Sequence, residues 1–454
     1  MKLGIAILAA GQGTRMNSRL PKVLHPLAGK PLLGHVLETA RALAPARIAV
    51  IYGHGGEQVR EAFEGVPCHW ILQAQQQGTG HALLQARDAL SELDRILVLY
   101  GDVPLIRADT LSRLLAEAAD ADLGLLTVRL EDPTGYGRIL RDEAGQVRGI
   151  VEQGDANAQE LAIREVNTGI LVARGAKLWN WLSRIGQDNA QGEYYLTDIV
   201  ALAAAEGVSI ATSQPEAPKE VLGVNDRLQL AKLERWFQYQ QAEALLRQGV
   251  SLLDPHRIDI RGVLRVGRDV TLDINCILEG EVDLGDGVSV GPNCCLKNCT
   301  IGAHTEILAH SVIEGARVGE SVRIGPFARI RPQTVLSDRV RVGNFVEVKQ
   351  SQIGRESKLN HLSYVGDAQI GNAVNLGAGT ITCNYDGAQK HRTEIGDRAF
   401  IGSNTALVAP VQIGEDATIG AGSVIVRTAP AEKLTLARSR QQTIDHWTRP
   451  KKKP

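Results

Sequence analysis

Hydrophobic positions divide the chain into two halves with different rhythms. From about Leu252 to Val426, a small aliphatic residue followed by Gly recurs at six-residue steps. Examples are Leu284-Gly285 and Val290-Gly291, Ile370-Gly371 and Leu376-Gly377, and Ile413-Gly414 and Ile419-Gly420. A six-residue period predicts a β-solenoid, in which each hexad is one flat face of a coil and stacked coils share a core. The aliphatic residue faces inward, and the Gly beside it is expected to permit the tight corner. Only five aromatics fall here, Phe327, Phe345, Tyr364, Tyr385 and Phe400, which suits a narrow coil filled by Val, Ile and Leu. The beat slips between Leu376 and Ile395, nineteen residues apart, which predicts a protruding loop near Asn384 to Arg392. Loops on regular scaffolds commonly carry function.

The first half lacks this beat. Short apolar runs at Leu3 to Ala10, Ile48 to Tyr52, Ile96 to Tyr100 and Leu123 to Val128 read as buried strands. Helical stretches at Leu33 to Ala42 and Gly80 to Leu90 alternate with them. This is the pattern of a mostly parallel α/β sheet, with ligands beyond the carboxyl ends of the strands. From Asp226 to Gln248 the positions Leu228, Leu230, Leu233, Trp236, Phe237, Ala242 and Leu245 are apolar, with no Gly or Pro before Gly249. That segment reads as a long connecting helix. The expected organisation is residues 1–225, a linker helix over 226–250, and the solenoid with a tail over 251–454.

Composition narrows the function. The 454 residues carry a net charge of −1, so no basic field points to nucleic acid. Lys451-Lys452-Lys453 reads as a solvated tail. No apolar stretch is long enough to span a bilayer, so no membrane insertion is expected. Lys2 and the apolar run after it fall short of signal-peptide anatomy, and cleavage near Ala10 would destroy the glycine loop that follows. Cys294, Cys295 and Cys299 with His304 suggest zinc at first sight, but they lie where small apolar side chains fill a coil. We read them as structural thiols, which fits a reducing cytoplasm.

Two clusters carry candidate chemistry in the first half. Leu8-Ala9-Ala10-Gly11-Gln12-Gly13-Thr14-Arg15-Met16, followed by Pro21-Lys22, is a Gly-rich turn after a strand. Its backbone N–H groups can approach phosphates, and Arg15 and Lys22 can neutralise them. The dinucleotide fingerprint wants a third Gly where Met16 stands, and the P-loop spacing is also missed. Tyr100-Gly101-Asp102 places a carboxylate at the exit of another strand, where it can hold Mg²⁺ or cap a turn. Gln73 with Gly78-Thr79-Gly80 reads as a loop and helix start, with Thr79 a possible cap. Asn167-Thr168-Gly169 and Asn225 read as polar groups in turns.

Further short motifs make the likeness to one family specific. They are Gly135-Tyr136-Gly137-Arg138, Glu152 and Gly192-Glu193-Tyr194-Tyr195 in the first half. In the solenoid they are Arg331, Gly343 to Lys349, His361, Tyr364 to Asp367, Asn375 to Ala378 and Thr382 to Gly387. With the clusters above, the chain resembles the bacterial bifunctional N-acetylglucosamine-1-phosphate uridyltransferase/glucosamine-1-phosphate acetyltransferases over nearly its whole length. The resemblance implies an α/β Rossmann-like nucleotidyltransferase domain, joined by a long helix to a left-handed parallel β-helix of hexapeptide repeats. It implies synthesis of UDP-N-acetylglucosamine in two steps. The solenoid acetylates glucosamine 1-phosphate with acetyl-CoA, and the first domain transfers uridylyl from UTP to N-acetylglucosamine 1-phosphate, releasing pyrophosphate.

The same resemblance assigns roles. Asp102 and Asn225 hold Mg²⁺. Catalytic Arg15 and Lys22 offset phosphate charge beside the Gly11 to Thr14 backbone, with Leu8, Ala9, Ala10, Tyr100 and Gly101 along the nucleotide. Gln73, Gly78 and Thr79 face uracil, and Gly137, Glu152 and Asn167 face the sugar. In the solenoid Arg331, Lys349, Tyr364, Asn375 and Lys390 hold the amino sugar phosphate. Ala378, Asn384, Tyr385, Ser403, Ala421 and Arg438 line the acetyl-CoA site. Acetylation wants a base near neutrality, because a protonated amine cannot attack a thioester. His361 is that base by resemblance, although spacing alone also allows a surface histidine. Glu347 lies fourteen residues earlier, near one coil of about 18 residues, and could orient it. The resemblance also implies a homotrimer with active sites made from neighbouring chains, an expectation that the protruding loop near Asn384 to Arg392 supports. The alternative is a single-function sugar nucleotidyltransferase whose solenoid only regulates or oligomerises. Glu347, His361 and the Asn384-Tyr385 loop argue against it.

Overall fold

The structure, a computed structural model, describes every residue except 1, 12, 54, 55, 451, 453 and 454. Gln12 of the glycine loop and Lys451 and Lys453 of the tail therefore lie outside the described residues. The chain forms two compact units, residues 1–237 and 238–454. Among the described residues no helix is long and apolar enough to cross a membrane.

In the first unit, strand Leu3–Ala9 is buried along its whole length and pairs in parallel with Arg47–Tyr52 on one side and Arg95–Tyr100 on the other. The sheet continues through His69–Leu72 at one edge. At the other it runs through Glu165–Arg174, Leu123–Arg129 and Ile210–Ser213. Glu165–Arg174 is antiparallel to both its neighbours, so the sheet is mixed. Two apolar clusters pack on the sheet. One includes helix Leu32–Ala42, and the other includes helix Thr79–Gln85 and Trp181. The expected Gly80 to Leu90 helix is two pieces, Thr79–Gln85 and Arg87–Leu90. Asn167-Thr168-Gly169 is not a turn. It sits within strand Glu165–Arg174, where the register shifts between Asn167 and Leu171 and Gly169 has φ +84°. A polar triplet inside an apolar run looks like a turn in sequence, and a bulge uses the same residue types.

Helix Arg227–Arg247 contains the division between the units. Leu230, Leu233, Trp236 and Phe237 pack with Met16, Leu27, Leu32, Leu105 and Val224 of the first unit. Beyond the division, Ala242 and Leu245 join the solenoid core, and Gln238 exchanges hydrogen bonds with the Ile260 backbone at 2.8 and 2.9 Å.

The second unit is a solenoid whose strand pairs are all parallel. Along one sheet, Thr271 pairs with Ser289, then Glu306, Arg323, Arg341, Lys358, Asn375, Phe400 and Thr418. The residue after each pair member points inward. Ile307, Ile324, Val342, Leu359, Leu376, Ile401 and Ile419 form a column only 0–3% exposed. Burying one such side chain contributes about 1.5–3 kcal/mol, so the column is a major part of what holds the coils together. Cys276, Cys294 and Cys299 fill inward positions of the same core, and burial pushes the Cys276 and Cys299 thiols up to about 12.

The recurrent Gly has a different role from the one its spacing suggests. The left-handed corner residue comes two positions later and is often not Gly, as at His304, Ser321, Glu356 and Ala373, with φ from 55° to 63°. The Gly itself faces the next coil. A Cβ on Gly302 would lie 2.5 Å from the Gly319 backbone, and one on Gly354 would lie 2.4 Å from the Gly371 backbone. Small size at this position lets coils stack backbone to backbone. Gly354→Ala should therefore cost about 1–3 kcal/mol in urea unfolding of the solenoid. Ala373→Gly, at a left-handed position, should leave stability unchanged or raise it slightly. The opposite order would show that the corner, not the stacking, sets the Gly requirement.

Candidate functional site

A cleft of about 440 Å³ opens at the carboxyl ends of strands Leu3–Ala9 and Arg95–Tyr100. It is lined by Leu8, Ala9, Ala10, Gly11, Lys22, Gln73, Gly78, Thr79, Tyr100 and Asp102, all singled out in the sequence. The loop turns sharply at Gly13, with φ +61°, where a Cβ would lie 2.7 Å from that of Lys22. Only Gly meets both demands. Thr14 and Arg15 follow on an exposed one-turn helix, anchored by Met16 at 1% exposure. Arg15 has no hydrogen-bond or ion-pair partner among the described residues.

On the far wall, Gln73 is 2% exposed and donates to the Gly78 carbonyl at 3.2 Å, bracing a turn with φ +105°. Thr79 is the first residue of its helix rather than the cap. Its hydroxyl accepts the Leu196 N–H at 3.0 Å and bonds the Tyr100 phenol. Gln76, which the sequence reading passed over, donates to the Ala10 carbonyl and joins the two walls. Its signal was the run of glutamines following strand His69–Leu72.

Asp102 and Asn225 come together although 123 positions separate them (225 − 102). Val224 N–H donates to the Asp102 carbonyl at 2.9 Å, which seats Asn225 beside the carboxylate. The Lys22 ammonium lies between them, 2.5 Å from Asp102 Oδ2 and 3.2 Å from Asn225 Oδ1. The side chains of Lys22 and Asp102 are 12% and 17% exposed. Two hard oxygens thus converge on one cation position. Such a donor set suits Mg²⁺, which keeps several waters and binds through one or two protein oxygens plus substrate phosphates.

Gly137, Glu152 and Asn167 form a neighbouring group. Asn167 N–H donates to the Gly137 carbonyl at 2.9 Å, and a Cβ on Gly137 would lie 3.1 Å from Glu152 Oε2. Glu152 accepts from the Thr197 hydroxyl at 3.0 Å, yet burial holds its carboxyl above the usual range. Tyr100 stands between the two groups, packed on Gly169, and burial raises its phenol.

In the solenoid, the expected Glu347–His361 pairing is absent. The coil here is 17 residues, so Asn344 pairs with His361 and Glu347 with Tyr364. His361 Nδ1 lies 3.1 Å from Asn344 Oδ1, while Glu347 holds Arg331 at 2.8 Å. That bond is the main cause of the raised Arg331 pKa. Counting one coil back would have found Asn344. Around Tyr364, Asn384 bonds both the phenol, at 3.5 Å, and the Asp367 carboxylate, which also faces Lys349 at 3.9 Å. Lys390 arrives from the loop. Its pKa is lowered by the close approach of the Lys349 ammonium, a second cation with no lone pair to offer.

The loop is ordered by Asp386, which accepts from the Ala388 and Gln389 N–H groups and from His391 at 2.6–2.8 Å. Tyr385 bridges to Lys390. Arg438 donates to the Ala421 carbonyl at 2.7 Å, drawing the tail back to the last coils. Asn375 is half-buried on a coil face, as is Ala378, and Ser403 is exposed.

A cleft beside a Gly-rich loop in one unit, and a solenoid of six-residue repeats in the other, define a two-domain transferase. The MobA-like NTP transferase domain matches residues 5–165, the GMPPB C-terminal domain 260–363, and the bacterial transferase hexapeptide 392–427. The Methylococcus capsulatus protein named bifunctional protein GlmU is 58% identical over 453 residues, 100% of this chain and 98% of its own length. Its namesake from Ralstonia pickettii is 58% identical over 450 residues, 99% of each chain. A solved UDP-glucose pyrophosphorylase complexed with UDP-glucose aligns with 53% of this chain at 16% identity and a TM-score of 0.43. The chain belongs to the GlmU family of bifunctional proteins.

The raised Glu152 carboxyl gives a pH-dependent test. A carboxyl whose folded pKa exceeds its unfolded value loses stability as pH rises between the two. Glu152→Gln should raise the melting temperature of the first unit at neutral pH, and the gain should vanish below the ordinary glutamate range. A gain independent of pH would assign it to packing instead.

Proposed function

We propose that the chain makes UDP-N-acetylglucosamine in two steps, one in each unit. The solenoid acetylates glucosamine 1-phosphate with acetyl-CoA. The first unit then transfers uridylyl from UTP to the resulting N-acetylglucosamine 1-phosphate. The observation that carries this reading is that both clusters are built in one chain: the Lys22–Asp102–Asn225 group beneath the Gly loop, and the Lys349–Lys390–Tyr364 group in the solenoid. The full-length identity to bifunctional relatives supports it.

In uridylyl transfer the sugar phosphate oxygen bonds to the α-phosphorus of UTP, and the bond to pyrophosphate breaks. The nucleophile is already an anion, so the site needs positioning and charge neutralisation rather than a strong base. The loop backbone, Arg15 and Lys22 supply positive potential, and Gln73, Gly78 and Thr79 form the uracil side. Gly137, Glu152 and Asn167 hold the sugar. Asp102 and Asn225 are the residues that would hold Mg²⁺, which when bound neutralises phosphate charge.

In acetyl transfer the amine attacks the thioester carbonyl, its proton goes to His361, and CoA leaves as the thiol. Asn344 Oδ1 accepts from Nδ1 in the tautomer that leaves Nε2 free to take that proton. Lys349, Lys390 and Arg331 suit a sugar phosphate, since two facing lysines are relieved by an anion. Tyr364 and Asn375 complete the acceptor side. Ala378, Asn384, Tyr385, Ser403, Ala421 and Arg438 form the acetyl-CoA side. The proposed compartment is the cytoplasm, supported by six free cysteines.

A homotrimer completes this reading. His310, Phe327 and Phe345 stack along one corner with ring centroids 4.8 and 5.3 Å apart, and Leu362 continues the line beside His361. Phe327, Phe345 and Leu362 are 47%, 56% and 62% exposed, a stripe that suits burial against another copy.

Purified protein given acetyl-CoA and glucosamine 1-phosphate without UTP should release CoA thiol. Asp102→Asn should lower uridylyl transfer about 10²–10³-fold and spare acetylation. His361→Ala should lower acetylation about 10²–10⁴-fold and spare uridylyl transfer. Loss of both activities in either folded variant would contradict the two-step reading. Phe327→Glu should shift sedimentation from trimer toward monomer with loss of acetylation. A monomer with full acetyltransferase activity would reject the trimer.

A further inference from the structure

We infer that Lys22 is a built-in counter-cation, which holds the oxygens of Asp102 and Asn225 in the absence of nucleotide and yields them only when a phosphate draws it away. The inference rests on the reading of those two residues as ligands for a divalent cation.

The geometry carries it. Among the described residues, Lys22 Nζ is the one cation paired with Asp102, at 2.5 Å, and the same nitrogen reaches Asn225 Oδ1 at 3.2 Å. Lys22 starts the one-turn helix Lys22–Leu24, and its Cβ lies against the Gly13 backbone, so the stem is fixed at its base. The ammonium end is held by side-chain oxygens rather than by backbone. It lies 4.0 Å from the place a Cβ would occupy on Gly11, close to the loop whose N–H groups can receive phosphate. A rotation of the outer side chain takes the charge from the oxygens to the loop without moving backbone.

Mg²⁺ binds such oxygens at about 2.0–2.1 Å. With the ammonium still on Asp102, two cations would share one carboxylate in a half-buried site, where like charges repel strongly. Divalent cation and ammonium therefore exclude each other. A triphosphate resolves the conflict, because its oxygens accept the ammonium as they bring the divalent cation. This links cation binding to nucleotide binding, and by reciprocity each strengthens the other. Lys22 is then a positioning residue for cation loading as well as a group on the phosphate.

The test is Mn²⁺ binding to the full chain, read by electron paramagnetic resonance of free Mn²⁺, with and without UTP. Without UTP, wild type should bind weakly at this site, and Lys22→Met should bind at least about tenfold more tightly. Lys22→Arg keeps the charge and should behave as wild type. Adding UTP should tighten wild type much more than Lys22→Met. Asp102→Asn, in either background, should remove the site. If Lys22→Met does not fold, Lys22→Gln serves, with the same expected direction. Equal UTP-free affinity in wild type and the neutral variant would overturn the counter-cation role while leaving the ligand reading intact. No Mn²⁺ bound through Asp102 even with UTP would overturn both.

Discussion

Parallel stacking of backbone on backbone, one coil per 17 or 18 residues, is the constraint on which the second unit depends. It decides which residues meet. Asn344 lies beside His361, Glu347 beside Tyr364 and Lys349 beside Gly366, because the ladder allows no other register. A one-residue slip would turn the inward column of Ile, Leu and Val out to solvent, so the hydrophobic core fixes the register. The small residue ahead of each corner allows that close stacking, and the left-handed corner two positions later is tolerated by Ser, Glu and Ala alike. A face built this way is rigid, and rigid elements hold polar groups in place more accurately than loops do.

The first unit solves the same problem with one sheet. Parallel strands deliver their carboxyl ends to one edge, so a loop after Leu3–Ala9 and a carboxylate after Arg95–Tyr100 arrive side by side. Antiparallel Glu165–Arg174 then brings the bulge at Asn167–Gly169 against Tyr100. The cation position and the Glu152 group are thus tied through one aromatic ring.

Much of this was legible in the sequence. The six-residue beat, the strand runs and the long helix are periodic signals, and periodicity survives without knowledge of partners. The cleft residues Gly11, Lys22 and Asp102 were legible because strand exits converge in a parallel sheet. What was not legible needed distances between segments. Asn225 is brought to Asp102 by the Val224 hydrogen bond and by the shared Lys22 ammonium. Gln76 looks like any surface glutamine until its bond to Ala10 is seen. Asn344 was hidden because the fourteen-residue spacing to Glu347 was accepted as near one coil, whereas the ladder repeats here every 17 residues. The polar triplet at Asn167 had a turn's composition and a bulge's position.

The protruding loop shows why a regular solenoid needs an irregular insertion. Gln369 pairs with Glu394 across 25 positions, where Gln352 pairs with Gln369 across 17. The extra residues carry Lys390 back to Lys349. No ladder position could do this. Residues stacked on one face are spaced by the strand separation of about 4.8 Å and point the same way. Two cations aimed at one point from different directions require a chain segment that leaves the ladder. Asp386 gives that segment a fixed shape by accepting three hydrogen bonds within it. The coils supply a precise wall, and the loop supplies the one charge that the wall's own geometry forbids.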